Sequence, residues 1–322
     1  MVGQFSDDDD IDLLGTKGGI TPEAEELLDL IRIPPPTQGF SFVLDMTPGY
    51  SQYVNLDIPA HGTNHYTVYW GDGTSDAYTT TSTLYHYYDT PQEYTITIEG
   101  AVNYISFQGE QRLVRVLSPL PEFSTSTSMD HLFESCTNLT SVPENLLANN
   151  PSMINFSSTF ENCTSLQSIP ADLFLNNQDA TNFWATFANC TSLQGIPADL
   201  FTNNTNAVDF GLTFDDCTSI QGIPADLFDS NPSAYDFHGT FGGCTSLQSI
   251  PVTLFNNNTN VTSFDYAFNG CTGIGTNLPE WWNTTLWPTS TYPQFGSQSS
   301  KFNMFDGCTN TQNYGIVPSG WK

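Results

Sequence analysis

The stretch TFENCTSLQSIPADLFLNN, residues 159–177, decides the fold, because close copies of it recur every 27 residues. Its cysteine marks the period: Cys136, Cys163, Cys190, Cys217, Cys244 and Cys271. Counting each unit from its cysteine, leucine or isoleucine falls at +3 (Leu139, Leu166, Leu193, Ile220, Leu247) and valine or isoleucine at +6. Proline sits at +7, leucine at +10, and phenylalanine mostly at +11. Phenylalanine returns at +20 (Phe156, Phe183, Phe210, Phe237, Phe264) and at +24 (Phe160, Phe187, Phe214, Phe241, Phe268). A fixed period of this length predicts stacked units, since one unit alone cannot bury its apolar face and the next must cover it. The expected architecture over residues 111–322 is a solenoid, and solenoids mostly serve as extended binding surfaces.

The ends of the array depart from the period as capping units do. Cys308 follows Cys271 by 37 residues, and the insert carries Trp281, Trp282, Trp287, Tyr292 and Phe295, aromatics expected to close the open core. At the other end, Arg112–Val116 reads as a degenerate first rung. The phrase F-x-x-C-T-S-L-x-S-I-P resembles the BspA-type leucine-rich repeats of bacterial surface proteins, whose A-F-x-x-C-x-x-L-x-x-I-x-I-P unit is shorter. The extra residues here fit the A-D-L-F-x-N-N segment, expected to form a short helix on the back. Proline at its start and Asp172, Asp199 and Asp226 two residues on match helix N-terminus chemistry.

Residues 39–110 alternate with the period of a strand: Tyr53–Ile58, Tyr66–Trp70, Tyr94–Ile98 and Tyr104–Phe107, separated by turn signals such as Gly71-Asp72-Gly73. Short strands at this spacing predict a small β-sandwich. Trp70-Gly71-Asp72-Gly73-Thr74, His86-Tyr87-Tyr88 and Pro91-Gln92-Glu93-Tyr94-Thr95-Ile96-Thr97-Ile98 together resemble a PKD-type, immunoglobulin-like domain. Gln92 stands where that family usually has glycine, so the last hairpin is expected to differ in shape. The fold expected overall is β-rich and two-domain: a PKD-like sandwich (39–110), then the leucine-rich-repeat solenoid (111–322), preceded by an acidic arm (1–38).

The arm opens with Asp7–Asp10 and continues into Thr21-Pro22-Glu23, an N-cap, a first-turn proline and acids suited to the helix dipole. Leu27, Leu28, Leu30 and Ile31 give a short apolar side fit to anchor the chain to another surface, and Pro34–Pro36 ends the helix. The chain carries 34 acids against 6 bases, a net charge of −28, and no Lys or Arg between Val116 and Ser300. Such a surface repels phosphate, which argues against DNA, RNA and anionic lipid as partners. No apolar stretch approaches the ~20 residues of a membrane span. The start lacks the basic and apolar regions of a secretory signal, as expected of a virion protein made in the host cytoplasm without the secretory route, or of a cell-surface protein whose signal is removed.

Seven cysteines in parallel columns, odd in number and without C-x-x-C, are expected to be buried free thiols rather than disulfides or metal ligands. The asparagines at +14 (Asn150, Asn177, Asn204, Asn231, Asn258) are expected to bond backbone at the turn, either ending the short helix or bridging rungs. The five histidines are scattered, and neither Asp215-Asp216 nor Asp72 carries a known catalytic or Ca²⁺ pattern, so neither catalysis nor a cofactor is expected. What varies is the pair after the +20 phenylalanine. Trp184, Leu212, His238, Asp265 and Tyr266 fall there and form the candidate binding face, suited to sugars or a protein surface. Gln167, Gln194, Gln221 and Gln248 make a second, flatter face.

The functional expectation is a non-enzymatic bacteriophage virion protein: a fibre, tail adhesin or capsid decoration. Its arm would join other virion proteins, and its solenoid would meet a host-surface protein or glycan, with self-association left open. A bacterial cell-surface adhesin of BspA type is the alternative, and a carbohydrate-active enzyme a distant third.

Overall fold

The structure, a computed structural model, describes residues 39–322 except 48, 50–51, 59–64, 80–81, 125, 287, 289–290, 292 and 298. The expected arm helix, with Leu27, Leu28, Leu30 and Ile31, lies outside the described residues, as do Trp287 and Tyr292. What is described is β-rich. Its helical elements are three single 3-10 turns, Pro293–Phe295, Tyr314–Ile316 and Ser319–Trp321.

Among the described residues, seven strands form two antiparallel sheets. β1 (Phe40–Asp45), β3 (His65–Tyr69), β4 (Ser75–Tyr78), β6 (Glu93–Ala101) and β7 (Leu113–Val116) make one, in the order β4-β3-β6-β1-β7. β2 (Tyr53–Ile58) and β5 (Ser82–Tyr87) make the other. Alternation drives the pairing: Tyr94, Ile96 and Ile98 of β6 are buried while Glu93, Thr95 and Glu99 face water. The Trp70–Thr74 turn is locked by polar bonds. Asp72 accepts from Thr74 N (2.9 Å), and its other oxygen lies 2.7 Å from His86 Nε2. His86 stacks flat on Trp70, with centroids 4.4 Å apart. Burial alone would raise the Asp72 pKa, but the bonds from Thr74 and His86 hold it below the usual carboxylate range. Gly71 (φ +82°) is required, since a Cβ there would meet Thr95 O at 2.5 Å. The expected strand at Tyr104–Phe107 does not form. That segment instead begins the stack that follows, with Phe107 N donating to Leu132 O (2.9 Å).

From there to the C-terminus, each 27-residue unit makes one coil, and successive coils lie in parallel register. Bridges link Ser128, Asn155, Asn182, Asp209, Asp236, Ser263 and Ser300, the +19 position of each coil. Phenylalanine rings stack nearly parallel from coil to coil. In the +24 column Phe160, Phe187, Phe214, Phe241 and Phe268 lie 5.5–5.6 Å apart, extended by Phe107, Phe133 and Phe305. The backbone ladder runs both ways: N–H groups at +20, +22, +24 and +26 donate to the coil ahead, as Phe156 to Asn182 O (2.9 Å) and Phe160 to Thr186 O (2.8 Å), while those at +18 donate to the coil behind, as Thr181 to Ile154 O (2.9 Å).

Polar columns complete the frame. Each thiol donates to the +24 carbonyl of the coil before, as Cys190 Sγ to Phe160 O (3.2 Å). The +23 threonines donate backward as well, Thr213 Oγ1 reaching Phe183 O at 3.0 Å. From Asn177 on, each +14 asparagine donates to the asparagine carbonyl one coil back, Asn204 Nδ2 to Asn177 O at 2.7 Å, and Asn150 donates to Pro121 O (2.9 Å). The expected helix over A-D-L-F-x-N-N is absent. Consecutive three-residue turns stand in its place, Leu173 N to Pro170 O (3.2 Å) and Asn177 N to Phe174 O (3.0 Å). Six residues between a proline and a buried asparagine are too few to nucleate an α-helix, and the asparagine is held by the neighbouring coil.

The two halves share one apolar cluster from Phe40 to Val317. β7, the expected first rung, pairs antiparallel with β1, and its Arg115 bridges Ser141 in parallel. Phe107 sits between Phe42 (4.9 Å) and Phe133 (5.6 Å), so the ring column starts inside the stretch expected to be sandwich. At the far end Phe295 continues the +20 column (6.1 Å from Phe264) and Trp281 stacks on it at 5.0 Å. Lys301 falls at the +20 slot of the last coil, its amine donating to Gly296 O and Ser299 O, both at 2.6 Å. Burial lowers its pKa to about 8, against the pull of Asp265.

Two outcomes follow. Phe187→Ala, which removes a ring in contact on both sides, should lower unfolding free energy by about 3–5 kcal/mol in denaturant titration. Burial raises the pKa of every thiol, that of Cys308 to about 12, so the folded chain keeps protons that the unfolded one gives up above about pH 8.5. Stability is therefore full below that pH and falls as pH rises. Cys217→Ser should reduce the alkaline slope by about 1.4 kcal/mol per pH unit. An unchanged slope would mean this thiol ionises in the folded state.

Candidate binding face

The candidate residues sit on a turn built the same way in successive coils up to the last. The +19 side chain caps the N–H of +21: Asn182 Oδ1 accepts from Trp184 (2.9 Å), Asp209 from Gly211 (2.9 Å), and Asp236 from His238 (2.8 Å). The backbone then turns left-handed at +22. Its N–H reaches the +21 carbonyl of the coil ahead, Leu212 to His238 O (2.7 Å) and Tyr266 to Phe302 O (2.9 Å). Side chains at +21 and +22 are thereby fixed along one line parallel to the stack.

On that line Trp184 is 40% exposed, and Leu212, His238, Asp265 and Tyr266 are half-buried. Ser158, Ala185, Gly211 and Gly239 in the same two columns are buried. Bulky residues lean onto small ones one coil ahead. A Cβ at Gly211 would meet Trp184 Cδ1 at 3.0 Å, and one at Gly239 would meet Leu212 Cδ2 at 2.4 Å. His238 meets Tyr266 edge to face at 5.5 Å, and Tyr266 meets Phe302 the same way at 5.5 Å. Asp265 is not a free acid: its Oδ1 accepts from Phe302 N (2.6 Å) and from Ser300 Oγ (2.5 Å), tying the last coil on.

Phe302, 53% exposed, extends the line and escaped the sequence reading, although counting six residues back from Cys308 puts it at +21 beside Trp184 and His238. Exposed Tyr53, Tyr85 and Tyr87 form a second aromatic group on β2 and β5, Tyr53 lying 4.7 Å from Tyr87. Strand alternation of Tyr85 and Tyr87 was its signal. The glutamine column is exposed as expected, with Gln194 N bonded to Gln167 O (3.2 Å).

Two left-handed columns run through the stack, at +22 and +26, with φ between 52° and 81°. At +26 stand Ser135, Asn162, Asn189, Asp216, Gly243, Gly270 and Gly307, nearly all residues that tolerate this conformation. At +22 stand His131, Ser158, Ala185, Leu212, Gly239, Tyr266 and Asn303. A leucine or tyrosine there costs about 1–2 kcal/mol against glycine. Beside this turn Asp215 is pushed up to about 7 by burial and by the charge of Asp216. Among the described residues, no group of three or more His, Cys, Asp or Glu could hold a metal ion.

No family model matches the chain, and no curated protein does. Among solved structures, a chain of the Toll–Spatzle complex, described as a molecular hub in Drosophila development and innate immunity, aligns at 15% identity. The alignment covers 51% of this chain and 32% of that one with a TM-score of 0.14, too slight to bear on the fold.

The geometry separates two glycines. Gly243 has φ +64°, and a Cβ there would lie 1.9 Å from Asp216 Oδ1 and 3.2 Å from its Cα. Gly195 has nothing within 4 Å. Gly243→Ala should cost about 1–2 kcal/mol in thermal unfolding, whereas Gly195→Ala should be neutral or slightly stabilising. Equal effects would refute the assignment of +26 as an obligatory turn.

Proposed function

We propose that this protein is a non-enzymatic display protein of a bacteriophage virion, a fibre, tail adhesin or capsid decoration, that holds a recognition line out to a host surface. In this reading residues 39–110 are a PKD-like module and residues 111–322 a BspA-like leucine-rich-repeat solenoid. The arm with Leu27, Leu28, Leu30 and Ile31 anchors the chain to other virion proteins. The observation that carries the binding role is the partly exposed aromatic line from Trp184 to Phe302, set on a frame whose remaining columns are spent on stacking and hydrogen bonds. The virion setting is supported by seven buried thiols, each bonded to a carbonyl, which suits folding in a reducing cytoplasm followed by release at lysis. The likeness of the repeat phrase to bacterial surface proteins favours the adhesin as second reading. The same line would serve there.

The test immobilises the full-length chain and passes over it an envelope fraction from the host. Trp184→Ala should reduce capture about tenfold, some 1.4 kcal/mol, with the melting temperature unchanged. Undiminished capture would show that the line is not the contact surface. Recovery of the chain from purified particles decides for the virion over the adhesin.

A further inference from the structure

The +26 column serves as an internal control for the +22 column. Both hold the same left-handed backbone, and at +26 the sequence has settled on serine, asparagine, aspartate and glycine. At +22, Gly239 and Asn303 show that the same choice is open there, yet Leu212 and Tyr266 occupy it. Local packing accounts for Leu212, whose Cδ2 fills the space over Gly239. It accounts less well for Tyr266, half-buried and touching other members of the surface line, His238 and Phe302, by ring edges. A strained position filled by a large aromatic on a surface is the pattern of a ligand clamp.

The polar atoms on this line narrow the ligand. Trp184 Nε1, the His238 ring and the Tyr266 hydroxyl make no hydrogen bond among the described residues, while each ring offers an apolar face or edge. Aromatic surface with unmet donors at its rim suits a ligand that is apolar on its ring faces and hydroxylated around them. Charge excludes the acidic members of that class, because the coils carry no Lys or Arg from residue 117 to 299 and the chain stands at −28. The line crosses five consecutive coils, so the ligand is a chain rather than a single small molecule.

We propose that Trp184, His238, Tyr266 and Phe302 are successive subsites for an uncharged oligosaccharide lying along the stack, and that Tyr266 is held in its disfavoured backbone conformation for that contact. The inference rests on the binding role of the line and adds to it the ligand class and the key residue.

The experiment screens the full-length chain on a glycan array carrying neutral and anionic oligosaccharides, with Tyr266→Gly and Trp184→Ala beside the parent. The expected result is binding to neutral glycans, none to sialylated or uronic ones, and a loss of at least tenfold in both variants. Tyr266→Gly should at the same time melt no lower than the parent, because glycine relieves the left-handed strain. The proposal is overturned if no neutral glycan binds more strongly to the parent than to Tyr266→Gly, or if Tyr266→Gly melts well below the parent. If the array is blank but the host-envelope fraction is captured through Trp184, the line remains a binding face and its ligand is a protein. If neither binds, the face itself is wrong.

Discussion

Each coil leaves part of its backbone unsatisfied, and only the next coil completes it. Donors at +20, +22, +24 and +26 all point forward, while thiol, threonine and asparagine side chains all point back. A buried amide without a partner costs more than a formed bond returns, so coils cannot be lost or slipped singly. The exact 27-residue spacing follows from this. A residue more or less between +19 and +26 would move those donors off their acceptors, whereas the ten extra residues before Ser300 lie outside that stretch and leave Phe264 and Phe268 paired with the last coil.

That constraint explains why so much of the coil region was legible. Positions that must stack show identical residues, and periodicity alone places Phe156, Phe160, Cys163 and Asn177 in the interior, where all are buried. The asparagine column reads in sequence either as the end of a short helix or as a bridge between rungs, and the structure shows the bridge. The A-D-L-F-x-N-N segment misled: proline followed by aspartate is helix-start chemistry, but a linked series of tight turns has the same preferences. Local propensity describes the first turn and does not say whether a second follows.

The ends and the surface were harder to read for a related reason. At the ends there is no next coil, so the frame is closed by residues outside the period, such as Phe295, Trp281 and the buried amine of Lys301. Which insert aromatic would take which column depends on how a long loop folds back. On the surface, variability at +21 and +22 does not tell which of the two side chains a given coil exposes. The pattern is one of alternation: Trp184 and Leu212 each require a glycine one coil on, so Gly211 and Gly239 are footprints of their neighbours rather than independent choices. Asp265 reads as a free acid in sequence and is a structural tie in space.

In the reading proposed above, the frame serves recognition rather than chemistry. Catalysis needs groups converging on one point from different directions, whereas a parallel stack sets equivalent side chains side by side at a fixed spacing. Asp215 illustrates the difference. Its carboxyl is raised to about 7 by burial and by Asp216, yet its oxygen lies against the backbone of the next coil, where a Cβ at Gly242 would be 2.5 Å away. The line from Trp184 to Phe302 has what Asp215 lacks, namely aromatic rings exposed at Trp184 and Phe302 and unspent donors between them. Because the backbone beneath it is fixed by the ladder, those side chains are ordered before any partner arrives. Little conformational entropy then remains to be lost on binding, and weak contacts repeated along the stack can add to useful affinity.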